Sequence, residues 1–447
     1  MTASGIALTA HAGPDDIVAW RPDGPVRQAR FLADVAQLAD CLPAGGNILN
    51  VCEDRYRFMV GFAAAMVTGK LSLLPAAHTP ETVRRLKEFA ADVFCLHDGK
   101  GDGIDLPCLQ YPAAPAMPNA TAPMPKVDER QEAVCLFTSG STGAPVAQRK
   151  TWGALVRNGQ AEAERLGFLA AGHAIVGTVP AQHSYGFEST VLLSLHGNCA
   201  AWAGRPFYPA DIAAALAAVP RPRLLVTTPF HLRALLDAGV DVPSLDMILS
   251  ATAPLSDALA REAEVSFGAP LHEIYGCTEA GQLASRRTSA SLRWTPFPGV
   301  RLEQAAGETF ASGGHVEGRV PLSDVIELGA DGSFLLHGRN ADMVNIAGKR
   351  TSLAYLNHQL NAVAGVDDGC FFLPDETAAD GITRLAAFAV APELTSHQLL
   401  TALRERVDPI FLPRPLVMVE RLPRNATGKL PRGDLQALLD LHRRSAA

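Results

Sequence analysis

The chain has 447 residues, of which 48% are hydrophobic and 19% charged, a globular composition that excludes a disordered or fibrous protein. Its 39 basic and 46 acidic residues give a net charge of −7, which argues against a nucleic-acid-binding protein. No apolar run approaches the roughly 20 residues that span a bilayer, and no secretion signal opens the chain. We therefore expect a cytoplasmic protein of two or three compact units with no membrane span.

The first part of the chain alternates strand and helix patterns. We predict strands at Gly46–Val51 and Lys70–Pro75 and helices at Phe58–Thr68 and Thr79–Phe89. This rhythm predicts a parallel α/β layer. Residues 106–126 then carry six prolines, and we expect an extended connector without secondary structure there. The eight cysteines form no Cys-x-x-Cys pair, which predicts reduced and mostly buried thiols.

The alternation resumes from Ala133 to Arg301 and then changes character. After Phe310 the pattern becomes short strands with Gly-rich turns, and a smaller α/β piece follows Gly338, so we place a domain joint near residues 338–342. The strands predicted between Ala133 and Arg301 are Ala133–Phe137, Ala174–Thr178, Arg223–Thr227, Met247–Ser250 and Leu271–Tyr275, with helices that include Asp211–Ala218 and Leu255–Phe267.

The first candidate site is a loop of glycine and hydroxyl residues directly after a predicted strand. Residues 138–145 are Thr-Ser-Gly-Ser-Thr-Gly-Ala-Pro. Glycine lets backbone N–H groups turn toward an anion, and the hydroxyl groups add donors, so this loop is suited to a polyphosphate. Taken alone, such a stretch is more often an ordinary polar turn. It is not a Walker loop, because Gly-Lys-Ser/Thr is missing.

A second candidate site follows the strand that ends near Tyr275. Within five residues this segment holds an aromatic ring, the Thr278 hydroxyl and the Glu279 carboxylate. Ligands of open α/β sheets bind beyond the carboxyl ends of strands, and Mg²⁺ favours one or two carboxylates together with phosphate oxygens. Taken alone, this segment is explained slightly better by a buried tyrosine and a solvated glutamate.

Two further positions could carry chemistry. Asp324 follows a predicted strand and could bind ribose hydroxyls, although a turn-capping aspartate is as good an explanation. Lys429 lies in the segment Leu-Pro-Arg-Asn-Ala-Thr-Gly-Lys at residues 422–429. Lysine is scarce in this chain, so a lysine in a Pro-bounded loop stands out, but an ordinary surface lysine accounts for this segment about equally well.

In their order and spacing these motifs resemble those of the adenylate-forming superfamily, which includes acyl- and aryl-CoA synthetases, carrier-protein adenylation enzymes and luciferases. Because a motif gains weight from its context, the matches together are far more specific than each alone. The resemblance runs from about residue 45 to 435 and rests on residues 139–145, 180–186, 250–255, 275–279, Asp324, Gly338-Arg339 with Gly348, and 422–429.

The resemblance implies an α/β fold of two domains. Residues 1–338 would form a large N-terminal domain of layered α/β subdomains, and residues 339–447 a small mobile C-terminal α+β domain. It also implies a two-step reaction in which ATP and a small carboxylic acid form an acyl-adenylate and pyrophosphate. The thiol of CoA, or of phosphopantetheine on an acyl carrier protein, then takes the acyl group.

The resemblance further assigns roles by position. Lys429 would lie between the substrate carboxylate and the α-phosphate, where a fixed cation offsets the growing negative charge. The acid pocket would include His183, Ala251, Ala253, Gly276 and Gly281. The nucleotide would be held by Thr138, Ser139, Gly140, Ser141, Thr142 and Gly143 at the β- and γ-phosphates, Tyr275 at adenine, Asp324 and Arg339 at the ribose, and Thr278 at the phosphate, with Glu279 binding Mg²⁺.

Two positions depart from the family pattern. After Pro145 the family usually has Lys-Gly, whereas this chain has Val146-Ala147, so Arg149 or Lys150 would supply the cation from a shifted position, or none is needed. Two residues after Arg339 the family usually has a charged hinge residue, and this chain has Ala341.

The acid and the acceptor stay open at this point. Small residues in the pocket leave room for a flat ring or a chain, and we favour an aryl over a fatty acid slightly. The alternatives are an amino-acid-activating enzyme, which Phe187-Glu188 suggests, and a nucleotide-binding relative without catalysis. A phosphotransferase would need the Walker lysine, which is absent. The arginine-rich C-terminal segment could meet an anionic acceptor but is more simply a solvated surface.

Overall fold

The structure is a computed structural model. It describes residues 5–75, 78–99, 101, 103–113, 123–139, 145–339, 343–346, 349–374, 384–425 and 428–446. For Thr138, Ser139 and Arg339 the description covers the backbone only.

The strands and helices are numbered in chain order. The strands are β1 (Gly5–Ala7), β2 (Ile17–Arg21), β3 (Gly24–Arg27), β4 (Asn47–Asn50), β5 (Leu71–Leu74), β6 (Phe94–His97), β7 (Cys108–Gln110), β8 (Lys126–Asp128), β9 (Glu132–Ser139), β10 (Pro145–Thr151), β11 (Ala174–Gly177), β12 (Ala200–Trp202), β13 (Arg223–Thr227), β14 (Met247–Ser250), β15 (Leu271–Cys277), β16 (Gly281–Arg287), β17 (Thr295–Pro296), β18 (Arg301–Ala305), β19 (Glu308–Gly313), β20 (Val316–Leu322), β21 (Asp324–Leu328), β22 (Phe334–Arg339), β23 (Met343–Ile346), β24 (Lys349–Ser352), β25 (Asp368–Phe372), β26 (Ala386–Val390) and β27 (Leu416–Met418). The helices are α1 (Gln28–Cys41), α2 (Arg55–Val67), α3 (Pro80–Phe89), α4 (Trp152–Leu166), α5 (Ser184–Gly186), α6 (Leu193–His196), α7 (Pro209–Ala217), α8 (Pro229–Asp237), α9 (Asp257–Phe267), α10 (Leu353–Asn361), α11 (Ser396–Arg404) and α12 (Arg432–Ala446), and wider helical turns at Phe187–Leu192 join α5 to α6 into one segment, residues 184–196.

The first large sheet contains the α/β alternation predicted for the start of the chain. Its six strands lie in the order β10-β9-β5-β4-β6-β7; β9, β5, β4, β6 and β7 run parallel to one another, and β10 is antiparallel to β9. The expectation that residues 106–126 hold no secondary structure is wrong at two points, because Cys108–Gln110 pairs with β6 as an edge strand and Lys126 begins β8. Proline is tolerated beside such an edge strand, where the sheet needs no further backbone donor.

The second large sheet has nine strands and contains most of the second run of predictions. Its order is β17-β16-β15-β14-β13-β11-β12-β2-β3, and the strands from β15 through β11 are parallel. The strands of this run are buried almost throughout, as a sheet covered by helices on both faces requires. Because β11, β13, β14 and β15 are parallel, the loops after their carboxyl ends meet at one edge of the sheet.

Local sequence explains how helix α4 begins and ends between the two sheets. Thr151 caps its N-terminus by accepting a hydrogen bond from the Ala154 N–H, and Gly167 ends it with φ of 81°, which suits glycine. Unlike a surface helix, α4 buries polar residues along with apolar ones, among them Asn158 and Glu162.

The end of the chain has hydrophobic cores of its own. Two clusters draw only on residues from Val344 onward, around α10, α11 and the sheet β25-β26-β27. The other clusters draw on residues up to Leu336. These separate cores agree with the joint expected near residues 338–342, which stays a prediction. Among the described residues, no helix is long and apolar enough to cross a membrane.

Candidate active site

Four strand-end loops of the nine-stranded sheet meet at the site that the motifs predict. They follow β11, β13, β14 and β15 and lead to His183, to Phe230 in the first turn of α8, to Ala251 and to Thr278 respectively. Parallel neighbours bring these loops together although they are up to a hundred residues apart in the chain.

Tyr275 and Asp324 are in direct contact. The Tyr275 hydroxyl donates a hydrogen bond of 2.8 Å to Asp324 Oδ2. The tyrosine ring is only 7% exposed and packs against Trp294 and Phe334, with centroid distances of 5.7 and 5.6 Å. Asp324 is the register partner of Arg339 in the antiparallel pair β21–β22. The three residues predicted to hold adenine and ribose therefore belong to one locus.

Glu279 lies in the turn between β15 and β16, and a buried lysine holds that turn. Lys150 Nζ donates a hydrogen bond to the backbone carbonyl of Glu279, and Lys150 is 8% exposed. The neighbouring Arg149 is on the opposite face of β10, where it is exposed and pairs with Glu132. Of the two cations considered for the shifted position, only Lys150 contacts the predicted site.

The single carboxylate of Glu279 is enough for Mg²⁺, which usually takes only one or two carboxylate ligands from a protein. Glu279 and Thr278 are both partly exposed at the turn. Within the described ranges, no group of three or more His, Cys, Asp or Glu side chains could enclose a metal. An ion that takes most of its ligands from phosphate and water needs no such cage.

The predicted phosphate loop is only partly described. Gly140, Ser141, Thr142 and Gly143 lie outside the described residues, as does Ala341 at the predicted hinge. The strands on either side of the loop, β9 and β10, are paired antiparallel with Ser139 opposite Pro145.

Several residues predicted to line the acid pocket have closely packed or left-handed backbone. A Cβ at Gly276 would lie 2.4 Å from the Gly281 carbonyl oxygen, so only glycine fits there. Gly281 has φ of 80°, and a Cβ on it would lie 3.1 Å from Asn158 Nδ2 and 3.4 Å from Glu188 Oε1. Ala251 is buried and Ala253 partly exposed. Between them Thr252 has φ of 77°, a left-handed conformation that is strained for a β-branched residue.

The loop that carries Lys429 docks onto the same edge of the sheet. A Cβ on Gly428 would lie 3.3 Å from Phe230 Cβ, in the first turn of α8 after β13. Burial, and secondarily the charge of Lys429, lowers the pKa of His183 to about 4. The late lysine is therefore close to the histidine that follows β11, as the motifs predict.

Hydrogen bonds within the C-terminal piece fix the shape of the lysine loop. Arg424 makes two bonds to the Asp368 carboxylate, of 2.7 and 2.6 Å, and donates to the Gly428 carbonyl at 2.7 Å. Asn425 accepts from the Lys429 N–H at 3.0 Å and donates its own N–H to the Lys429 carbonyl at 2.9 Å. Arg424 thus has a structural task here, instead of being one of the solvated arginines expected from the sequence.

Sequence reasoning missed a cluster of buried polar side chains behind the acid pocket. We call it the polar cluster; it consists of Asn158, Glu162, Glu188, Ser189 and Gln282, all between 0 and 5% exposed. Ser189 donates to Glu162 Oε1 at 2.7 Å, and Gln282 Nε2 donates to Ser189 Oγ at 2.7 Å. The i, i+4 spacing of Asn158 and Glu162 in an otherwise apolar helix pattern was the available signal.

Burial controls the ionisation of both acids in the polar cluster. It raises the pKa of Glu162 to about 8, helped by the nearby Glu188 and opposed by the bonds from Ser189 and Gln282. It also raises the pKa of Glu188 to about 8, opposed by Lys150 and by hydrogen bonds with Asn158 and Ser184. Both carboxyl groups are therefore mainly neutral near pH 7.

The family model for AMP-binding enzymes matches residues 45–306. Among curated proteins, a 4-coumarate–CoA ligase from Rhodobacter capsulatus is 30% identical over 61% of this chain and just under two thirds (66%) of its own length. A medium/long-chain-fatty-acid–[acyl-carrier-protein] ligase from Mycobacterium tuberculosis is 23% identical over 93% of this chain and 84% of its own. A 3-hydroxybenzoate–CoA/4-hydroxybenzoate–CoA ligase from Thauera aromatica is 24% identical over 68% and 66%.

Solved structures match the fold over almost the whole chain. ATP-bound MatB from Rhodopseudomonas palustris superposes with a TM-score of 0.81 at 18% identity, and the match covers 95% of this chain and 96% of that one. The mixed α/β fold predicted from the motifs is thereby confirmed.

Proposed function

Because this chain belongs to the AMP-binding enzyme family, we propose that it is an ATP-dependent acid–thiol ligase whose substrate is an aromatic carboxylic acid and whose acceptor is CoA. The first half-reaction joins the acid to the α-phosphate of ATP and releases pyrophosphate. The second transfers the acyl group to the thiol and releases AMP. The position of the Lys429 loop against Phe230 and near His183 is the observation that supports this activity most.

The nucleotide is assigned to the edge where the strand-end loops meet. Tyr275 and Asp324, already joined by a hydrogen bond, would hold adenine and ribose together with Arg339. Thr278 would donate to a phosphate oxygen. Glu279 would bind Mg²⁺, which would screen the phosphate charges. Thr138 to Gly143 would hold the terminal phosphates with backbone N–H groups and hydroxyls.

Lys429 is assigned the central chemical task. A carboxylate that attacks a phosphate brings two anions together, and negative charge grows on the α-phosphoryl oxygens as the bond forms. An ammonium held in place by its loop offsets that charge without having to reorganise. His183 remains neutral because its pKa is near 4, so it would pack against the substrate without adding a second positive charge.

The aromatic acid and the CoA acceptor rest on the relatives. The ligases from Rhodobacter capsulatus and Thauera aromatica are named for aromatic acids and CoA, and the ligase from Mycobacterium tuberculosis for a fatty acid and a carrier protein. A phosphopantetheine-bearing carrier protein is therefore the second candidate acceptor.

An amino acid is disfavoured as the substrate. Binding its ammonium group would call for an ionised Glu188, but that carboxyl is held by Asn158 and Ser184 and its pKa is raised to about 8. A relative without catalysis is disfavoured as well, because Lys429 and Glu279 are both retained.

Pyrophosphate release tests this proposal directly. The purified protein is assayed with ATP, Mg²⁺ and a panel of benzoates, cinnamates, fatty acids and amino acids, and active acids are repeated with CoA and with a phosphopantetheinylated carrier. Lys429→Ala is expected to lower the adenylation rate on the order of 10²–10³-fold with unchanged melting, since the side chain is exposed. Arg421→Ala, an exposed cation nearby, is the control. Near-normal ATP–pyrophosphate exchange in Lys429→Ala would refute the assignment.

A further inference from the structure

The polar cluster is unusual because it is deeply buried and yet incompletely paired. Three of its atoms have no hydrogen-bond partner among the described residues, namely Asn158 Oδ1, Glu162 Oε2 and Gln282 Oε1. Their residues are 3, 0 and 2% exposed. Leaving a buried polar atom unpaired costs about 1–3 kcal/mol, so a ligand group that paired with one or more of these atoms would recover part of that cost.

The residues that carry these three atoms are neighbours although they come from different elements. Asn158 and Glu162 lie one helical turn apart on α4. Gln282 is on β16 and reaches Glu162 through the Ser189 hydroxyl, with two hydrogen bonds of 2.7 Å each. Gly281, next to Gln282 and itself assigned to the acid pocket, has its backbone close to the Asn158 amide. The polar cluster therefore lies directly behind a residue assigned to the acid pocket.

The distance along the chain from His183 to the polar cluster suits the length of an aromatic acid. The helical segment 184–196 starts directly after His183, which is close to Lys429, and leads to Glu188 and Ser189. At 1.5 Å per residue, five to six residues place Glu188 and Ser189 roughly 8 Å along the segment from His183. This separation is comparable with the length of a benzoic acid that carries a substituent on its ring.

The unpaired atoms define the chemistry of that substituent. The amide oxygens of Asn158 and Gln282 can only accept a hydrogen bond. A neutral Glu162, whose Oε1 already accepts from Ser189, can donate through a proton on Oε2. A hydroxyl can accept the Glu162 proton and donate its own hydrogen to one of the two amide oxygens. A methoxy group cannot donate, and an unsubstituted ring can do neither.

We propose that the polar cluster recognises a ring hydroxyl group of the aromatic acid, with Glu162 as donor and one of the amide oxygens of Asn158 and Gln282 as acceptor. This inference rests on the proposed function and makes it narrower: the substrate is a hydroxylated aromatic acid, and these residues determine specificity. No bond is formed or broken at the cluster.

The test compares matched acids in wild-type and variant enzymes by pyrophosphate release. Wild type is expected to prefer 3- or 4-hydroxybenzoate over benzoate and the corresponding methoxybenzoate on the order of 100-fold or more in kcat/KM, since a site that hydrogen-bonds a hydroxyl rejects analogues that lack it. Hydroxycinnamates against cinnamate repeat the comparison for a longer acid. Glu162→Met should abolish most of this preference by lowering kcat/KM far more for the hydroxylated acid than for benzoate, and Glu162→Gln, which retains a donor, should restore part of it.

Ser285→Ala is the matched control, because Ser285 is buried on the same strand β16 but bonds Arg165 outside the cluster. It should keep the wild-type preference. Equal kcat/KM for hydroxylated and unsubstituted acids in wild type, or equal losses for both in Glu162→Met at unchanged melting, would overturn the inference while leaving the proposed function intact. If Glu162→Met does not fold, Gln282→Met and Asn158→Leu carry the same comparison. Activity with no aromatic acid at all would instead overturn the proposed substrate class.

Discussion

Replacing Lys150 by methionine removes a buried ammonium group from the turn that carries Glu279. Lys150 is 8% exposed and donates to the Glu279 carbonyl, so its hydrogen bond is charge-assisted and shielded from water. Methionine has a similar length and no charge. The loss of one hydrogen bond to a charged group costs about 1.5–3 kcal/mol. We expect Lys150→Met to lower the free energy of unfolding by that amount. The loss should not be larger, because the nearby Glu188 is already mainly neutral and would not be left as an unpaired buried charge.

The same change should affect the metal dependence of the first half-reaction. If Lys150 positions the turn, the Glu279 carboxylate becomes less well fixed in the variant, and more Mg²⁺ is needed for half-maximal pyrophosphate release at a constant ATP concentration. Urea unfolding followed by tryptophan fluorescence measures the stability, and Trp152, two residues away and fully buried, is a suitable reporter.

Arg149→Met is the matched control, because Arg149 is the next residue on β10 but pairs with Glu132 at the surface. An exposed ion pair contributes about 0–1 kcal/mol, so this variant should change neither stability nor the Mg²⁺ requirement appreciably. A raised KM for ATP in Lys150→Met at unchanged stability would mean that the lysine contacts phosphate instead of holding the turn. Wild-type behaviour of Lys150→Met would refute both roles.

Three other perturbations probe the lysine loop, the pocket backbone and the polar cluster. Asp368→Asn weakens the ion pair with Arg424 and so loosens the Lys429 loop. The adenylation rate should fall about tenfold, in line with the loss of one half-buried charge-assisted bond. Thiol transfer from a supplied acyl-adenylate, measured separately, should change less. Thr252→Gly removes the strain of a left-handed backbone conformation and should raise the free energy of unfolding by about 1 kcal/mol. Thr252→Ala keeps that strain and should not raise it. Thermal melts of the two variants distinguish these outcomes. Glu162 has a pKa of about 8 in the folded chain, against 4.5 for the ordinary group. Between these pH values the folded state keeps a proton that the unfolded state releases. The contribution of Glu162 to the free energy of unfolding therefore falls as pH rises from about 4.5 to 8. Glu162→Gln cannot titrate, so its melting temperature should rise relative to wild type between pH 5 and pH 8.5, and a constant difference across that window would contradict the raised pKa.

Local sequence patterns specify most of the strands and helices and all of the motifs of the site. Strand β14 has the bounds predicted for it, Met247–Ser250, and the site residues Tyr275, Asp324 and Lys429 all stand in linear motifs. Such features are readable because hydrophobic periodicity, proline and glycine act over a few residues, and because a motif is a local pattern of functional groups. The same local rules misled at residues 108–110, where the proline content hid an edge strand.

Which of these side chains contact one another depends on the tertiary structure. The contact between Tyr275 and Asp324, the role of Lys150 at the Glu279 turn and the bonds of Arg424 that hold the lysine loop all depend on how the folded chain places these groups. The polar cluster is the clearest case, because Asn158, Glu162 and Gln282 are ordinary surface-type residues in a linear pattern. Whether a polar group is solvated, or buried with an unpaired atom that a ligand can complete, depends on the elements that pack around it, and that information is not local.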